Sequence, residues 1–436
     1  MRYTYCFARS EWTLRATLSS SSLALPGPVN RMNQSELAGL LLCLSYENNS
    51  GKLDRLIALS ADEWQAVATL ARQLEVGPLL HYRLKQLCIT PPNDTAQDLK
   101  RVFLLNTARN MRLYQELGNL LRGLNEHNIS VILLKGIYLA ELVYENIGLR
   151  TMGDIDLLVP AEKLEQAISL AEISGFIPVR PLFPEADGLL HFHAPPMVKN
   201  GIILELHWNL TLESNPARIE TDEIWARAHR TTFQHRDVWT LNPNDLLLHL
   251  TIHAAYGHLF VNQFRSLVDL VEVQRKFSND LDWDVIIQNC KDWHAERGTY
   301  LTFRLIGDLF GAGVPSQVLE ALQPSDWNKN ALDWAKVRLF QSNPELSINY
   351  IRLMHNTKIS ERLSALLTGL FPSREVIAMV TGVRPDSWRI PTLYPRYAIS
   401  RIINYWGDAW NLIRGDLTQA IESQSNQSLR NWLGIN

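Results

Sequence analysis

Gly153-Asp154-Ile155-Asp156-Leu157-Leu158-Val159 carries two carboxylates two residues apart near its start and continues as an apolar run. In an extended chain alternate side chains share a face, so Asp154 and Asp156 project together while Ile155 and Leu157 project the other way. Two carboxylates held side by side at the start of a buried strand repel each other unless a cation lies between them. Oxygen donors, short spacing and negative charge suit Mg²⁺ or Mn²⁺. The stretch predicts a strand whose first turn of sequence carries a divalent metal.

Its neighbours extend that reading. Upstream, residues 129–134 form a short β-branched run, expected as a buried strand, and Lys135-Gly136 closes it before a short helix over residues 137–144. Glycine at a strand-to-helix turn lets phosphate oxygens approach exposed N–H groups, or simply serves the turn. Arg150 stands just before the Asp pair, within reach of a triphosphate, with Glu145 as an alternative surface partner. Downstream, Met197-Val198 leads through Asn200-Gly201, a strong hairpin signal, into residues 202–210. Alternation there places Ile203, Glu205 and His207 on one face, and Leu204 and Leu206 on the other. A Glu inside so apolar a strand is costly to bury unless paired. Joined to Asp154 and Asp156 it completes a three-carboxylate metal site; the plain alternative is a half-solvated strand. His193, in the Pro-rich loop segment His191-Phe192-His193, and His207 are candidates for contact with an acceptor or for support of the site.

Further out the pattern is helical. Leu37, Leu40, Leu41 and Leu44, then Trp64, Val67, Leu70 and Leu74, recur at helical spacing, and a long helix is expected over residues 95–125. Residues 161–174 read as an amphipathic helix closed by Gly175. After Pro216 the helical pattern returns, with helix starts at Pro243-Asn244-Asp245, Phe264 and Asp282-Trp283-Asp284, and Trp406, Trp410 and Trp432 close the chain. This gives an α+β fold: a small mixed α/β unit at 126–215 between helical regions at 32–125, 216–330 and 331–436, after an Arg- and Ser-bearing extension at 1–31 expected to be disordered.

The 436 residues carry a net charge of −3 and no dense Lys/Arg block, which disfavours nucleic acid as a partner. No apolar run reaches the roughly 18 residues that span a bilayer. The four cysteines are far apart, without CxxC spacing, as expected of reduced thiols in the cytoplasm. His249, His253 and His258 lack an HExxH frame and read as core histidines, and Arg265 with Asp269 at i, i+4 reads as a structural pair.

Taken together, Lys135-Gly136, Arg150, Gly153-Asp154-Ile155-Asp156 and Glu205 in Glu205-Leu206-His207-Trp208 resemble the polymerase β-type nucleotidyltransferase superfamily. They are most similar to its bacterial family of uncharacterised nucleotidyltransferases. The likeness covers most of residues 36–300 and, more loosely, residues 394–401. The superfamily pattern carries Gly-Ser where this chain has Gly136-Ile137, so no side-chain hydroxyl is offered there. The resemblance implies a polymerase β-like core that moves a nucleoside monophosphate from an NTP to a hydroxyl or amine by a two-metal mechanism. It assigns Asp154, Asp156 and Glu205 to catalysis and to Mg²⁺ or Mn²⁺, and Lys135, Gly136, Arg150 and Gly153 to the nucleotide phosphates. The acceptor is left open among small molecule, peptide and protein, and helical regions are available to a protein partner. Two other readings stand beside it: a catalytically silent nucleotide-binding scaffold and, less well supported, a nucleotide-sugar glycosyltransferase.

Overall fold

In a computed structural model, the chain is described at residues 34–46, 50–178, 192–212, 214–340, 374, 377, 387–395, 397 and 417–435. The expected extension at 1–31, His191, Trp406 and Trp410 lie outside the described residues.

Among the described residues four helices come first: α1 (Gln34–Leu44), α2 (Ser50–Ile57), α3 (Ala61–Gln73) and α4 (Gly77–Gln86). Ser60 and Glu63 start α3 with a reciprocal capping box, each side chain serving the other's backbone N–H. The long helix α5 (Asn93–Glu126) has 34 residues, about 50 Å of rise. Leu113, Leu117, Leu120, Leu121 and Leu124 recur along one side of it and are buried.

Seven strands form one mixed sheet in the order β3-β4-β5-β2-β1-β7-β6. They are β1 (Ile132–Leu133), β2 (Asp154–Leu158), β3 (Ile177–Pro178), β4 (Met197–Lys199), β5 (Ile202–His207), β6 (His229–Phe233) and β7 (Arg236–Thr240). The central strands β1 and β2 are buried apolar runs, as strands covered on both faces must be. β1 runs antiparallel to β2 and parallel to β7, and β2 runs parallel to β5. Between the strands lie α6 (Lys135–Tyr138), which continues as a π-helical turn over Leu139–Val143, then α7 (Leu164–Ile173) and α8 (Thr221–Arg227).

The Asn200-Gly201 turn joins β4 to β5 with positive φ at both residues, 52° and 77°. Two expectations need correction. The strand expected over 129–134 is a two-residue ladder, because its ends leave the regular pairing and bond singly, Trp239 N–H to the Val131 carbonyl and Leu134 N–H to that of Asp156. The helical pattern expected straight after Pro216 is interrupted by the β6–β7 hairpin, so the sheet runs past the boundary placed at 215. Its turn, Gln234-His235, takes φ of 49° and 62° without Gly or Asn, which is why the sequence hid it.

Beyond the sheet, α9 (Pro243–Ile252), capped by Asn242, passes into a second π-helical turn at His253–Gly257. Then come α10 (Phe264–Lys276), α11 (Trp283–Asp292), capped by Asp282, α12 (Glu296–Phe310), α13 (Ser316–Leu322) and α14 (Asn330–Leu339). The helix Leu417–Leu433 packs on α14, and its Trp432 ring meets Trp327 edge-on at 5.5 Å. No described helix is long and apolar enough to cross a membrane.

Candidate metal and nucleotide site

The register of β2 on β5 sets the site. Asp156 is the direct partner of Glu205, Asp154 of Ile203 and Leu158 of His207. Partners across a parallel pair share a face, so Asp154, Asp156, Glu205 and His207 all project on the same side of the sheet. Asp156 is 2% exposed and His207 1%.

What holds β2 in place is α5. The Asn106 side-chain amide donates to the carbonyls of Gly148 (2.8 Å) and Arg150 (3.1 Å). That of Asn110 donates to Arg150 at 2.8 Å and also to Ile147. Gly148 must be glycine, because a Cβ there would lie 2.3 Å from Thr107 Oγ1 and 2.7 Å from the Phe103 ring. The chain entering the Asp154 strand is thus fastened to a rigid helix.

Asp156 Oδ1 is the electrostatic centre. Lys135 Nζ donates to it at 2.9 Å, and His207 Nε2 lies 3.0 Å from it and 3.5 Å from Glu205. Burial pushes the Asp156 carboxyl up, but the Lys135 charge and the His207 contact outweigh it and hold it well below the usual carboxylate range. Asp154 goes the other way, to about 6, through burial and the charge of Asp156, only partly offset by Lys135. For Lys135 burial works against the charged form, yet the attraction of Asp156 and Glu205 prevails and holds the ammonium above its ordinary value. Lys135 itself takes φ of +40°, a conformation that L-residues rarely adopt, at the turn between β1 and α6.

One oxygen each from Asp156 and Glu205 and a ring nitrogen of His207 lie within 4.8 Å of one another, a grouping that could hold a divalent ion. The donors fit. Two carboxylates and an imidazole converge, and a third carboxyl, Asp154, is held up to about 6 beside them, as expected where negative charge exceeds the local cations. His207 is thereby a candidate ligand in its own right. The alternation of β5 already placed it on the Glu205 face.

The other expected residues are placed as follows. Arg150 is 5% exposed, and its Nε and Nη2 form a bidentate pair with Asp269 at 2.8–3.1 Å. Asp269 is fully buried, and its Oδ1 also accepts from the Tyr144 hydroxyl at 2.8 Å. This corrects two expected pairs, since Glu145 is bonded by Lys276 and Arg265 by Glu75. Gly136 is needed for packing, because a Cβ would lie 2.7 Å from Arg150 Nη1 and 3.1 Å from Met152 Cγ. Gly153 faces open space. His193 pairs with His207 in an isolated antiparallel bridge at the end of β5, and their rings lie 5.1 Å apart.

No local sequence pattern brings His249, His253 and His258 to this site. Lys135 and Asp156 act electrostatically on all three. Burial, then Lys135, pushes His249 down to about 3 and His258 to about 4, and His253 well below its usual range. His253 Nε2 and His258 Nε2 meet at 3.2 Å. The spacing of five residues between them matches one π-helical turn rather than one α-helical turn, and this concealed the pair.

A family model described as an uncharacterised nucleotidyltransferase matches residues 60–311, more than half of the chain. The chain belongs to this nucleotidyltransferase family. The match runs from α3 to the end of α12 and so takes in the entire sheet, both π-helical turns and the carboxylate site. An α+β fold with flanking helices is what such a member should have. No curated protein matches the chain, and no solved structure matches it.

Proposed function

We propose that this family member transfers a nucleoside monophosphate from an NTP to a hydroxyl or amine acceptor, using Mg²⁺ or Mn²⁺ held by Asp154, Asp156 and Glu205, with His207 beside them. The observation that carries the reading is the β2–β5 register, which sets Asp156 against Glu205 on the face shared with Asp154. Such an ion, when bound, neutralises phosphate charge and lowers the pKa of an attacking hydroxyl. The protein's own part is positioning and electrostatics, which dominate phosphoryl-type transfer. Lys135 keeps Asp156 ionised and brings a positive charge to the carboxylate face. Asn106 and Asn110 fix the approach to β2, so the carboxylates do not drift when charge arrives. Small molecule, peptide and protein acceptors remain on an equal footing. The low net charge and the absence of a basic block weigh against RNA.

Two observations favour a catalytically silent, nucleotide-binding scaffold. Lys135 already serves Asp156 as a counter-ion, and the space over Gly136 is filled by Arg150 and Met152. A single assay separates the two. The protein, incubated with Mg²⁺ or Mn²⁺ and each NTP over a panel of acceptors, is expected to release pyrophosphate and label an acceptor. Asp156→Asn and Glu205→Gln should both abolish this; the Glu205 variant matters because Glu205 is the more exposed and its loss strands no buried lysine. Nucleotide binding without turnover, unchanged in both variants, would sink the enzymatic reading.

A further inference from the structure

Arg150, the cation expected at the phosphates, is spent on Asp269, and the phosphate charge of an NTP needs another partner. Arg265, the second residue of α10, meets that need. Its Nη1 donates to the Thr151 carbonyl at 3.0 Å, three residues before Asp154. Its Nε is buried without a hydrogen-bond partner. Its carboxylate partner, Glu75, is 52% exposed, in the turn between α3 and α4 with φ of +61°. An exposed ion pair of this kind contributes little and exchanges readily, whereas the bidentate, fully buried Arg150–Asp269 pair does not. The imidazole of His258, bonded to His253, is acted on by the charges of Lys135, Glu205, Asp156 and Arg265. Arg265, bonded to the chain that leads into β2, and His258, at the end of the second π-helical turn, thus approach the carboxylates from the helical layer rather than from the sheet.

We propose that Arg265, with the His253–His258 pair beside it, forms the subsite for the β- and γ-phosphates of the nucleotide, and that Glu75 occupies the arginine until phosphate displaces it. The inference rests on the nucleotidyltransferase reading and adds to it a cation, one neutral N–H donor left over by the His253–His258 bond, and an internal competitor. Guanidinium presents a planar fork that matches two phosphate oxygens, and an unprotonated imidazole still offers one N–H. Glu75 belongs to the α3–α4 turn, whose backbone also accepts from Thr151 Oγ1 at 3.0 Å. Displacement at Arg265 is thus felt by the N-terminal helices as well.

The test is calorimetric titration of the full chain with inorganic tripolyphosphate in the presence of Mg²⁺ or Mn²⁺, a probe that carries no base. Arg265→Gln should weaken binding about 10- to 100-fold, as expected for loss of a charge-assisted contact, and Arg265→Lys by less. Glu75→Gln should tighten binding about 2- to 5-fold, in line with removal of a weak competing pair. A purely structural arginine would lower the melting temperature and leave the dissociation constant alone, and Glu75→Gln would then have no effect. Should Arg265→Gln fold poorly, the Lys and Glu75 variants carry the test. Binding by the wild type that is indifferent to residues 265 and 75 overturns this subsite and leaves the enzymatic reading standing. Absence of any tripolyphosphate binding overturns the subsite, while pyrophosphate release from NTPs decides the enzymatic reading separately.

Discussion

Asp154 and Asp156 sit two residues apart on one strand yet are held in opposite protonation regimes. The difference is a matter of which donor reaches which oxygen: Lys135 and His207 both serve Asp156 Oδ1, and neither is bonded to Asp154. A carboxyl whose folded value is about 6, against an ordinary 3.8, binds protons more tightly in the folded than in the unfolded state. Stability is therefore lost as pH rises from about 4 to about 6, and the cost is complete above that. Asp154→Asn in metal-free protein should raise stability near neutral pH by on the order of 2–3 kcal/mol, with the gain vanishing below about pH 4. Thermal melts of the two proteins across that range check it; a difference independent of pH would contradict the repulsion argument. The pair at Arg150 shows the limit of reading residues singly. Arg150 and Asp269 are 119 positions apart, and no local pattern announces that an arginine beside an Asp-x-Asp faces inward.

At the scale of elements, α5 acts on the site although none of its residues joins the carboxylate group. Asn110 is fully buried and donates to the carbonyls of Ile147 and Arg150. Asn110→Leu should cost about 1–3 kcal/mol, since a buried carbonyl then loses a donor. It should also weaken Mn²⁺ binding through a displaced β2. Urea unfolding with a parallel Mn²⁺ titration measures both, and a change below about 0.5 kcal/mol would show the asparagine to be dispensable.

The strands that could be read from the sequence are those whose chemistry alternates. The Asp-x-Asp of β2, the Glu205 of β5 and the Asn-Gly between β4 and β5 each name a face or a turn, whereas the parallel register of β2 on β5 is set by long-range pairing that no local pattern announces. β6 and β7 are polar and joined by Gln-His, so nothing in their composition separates them from loop. Likewise the His253–His258 pair is invisible under an α-helical period, because one extra residue in the turn rotates His258 onto a new face.

For the whole molecule, the buried imidazoles set the acid limit. His249 is 2% exposed and held down to about 3, whereas an unfolded histidine titrates near 6.5. Between those values the unfolded chain binds a proton that the folded chain refuses, so stability falls as pH drops, by up to about 1.4 kcal/mol per pH unit for this one group. His249→Asn should flatten the dependence of unfolding free energy on pH between about 6 and about 4 by that amount. Urea titrations at several pH values decide it, and an unchanged slope would mean that His249 is not the group responsible.

The sheet has a waist. Among the described strands, β1 alone links the wing that bears the carboxylates to the β6–β7 wing, through the ladder pairs of Ile132 and Leu133 and one single bond at each end, from Val131 and Leu134. Two residues of backbone make a weak hinge pin, yet α5 packs against both β2 and β7 and bridges the joint like a splint. The stiffness of the carboxylate wing is therefore borrowed from side-chain packing beneath the sheet, and a loosened α5 would let the two wings twist independently while every strand within them stayed intact.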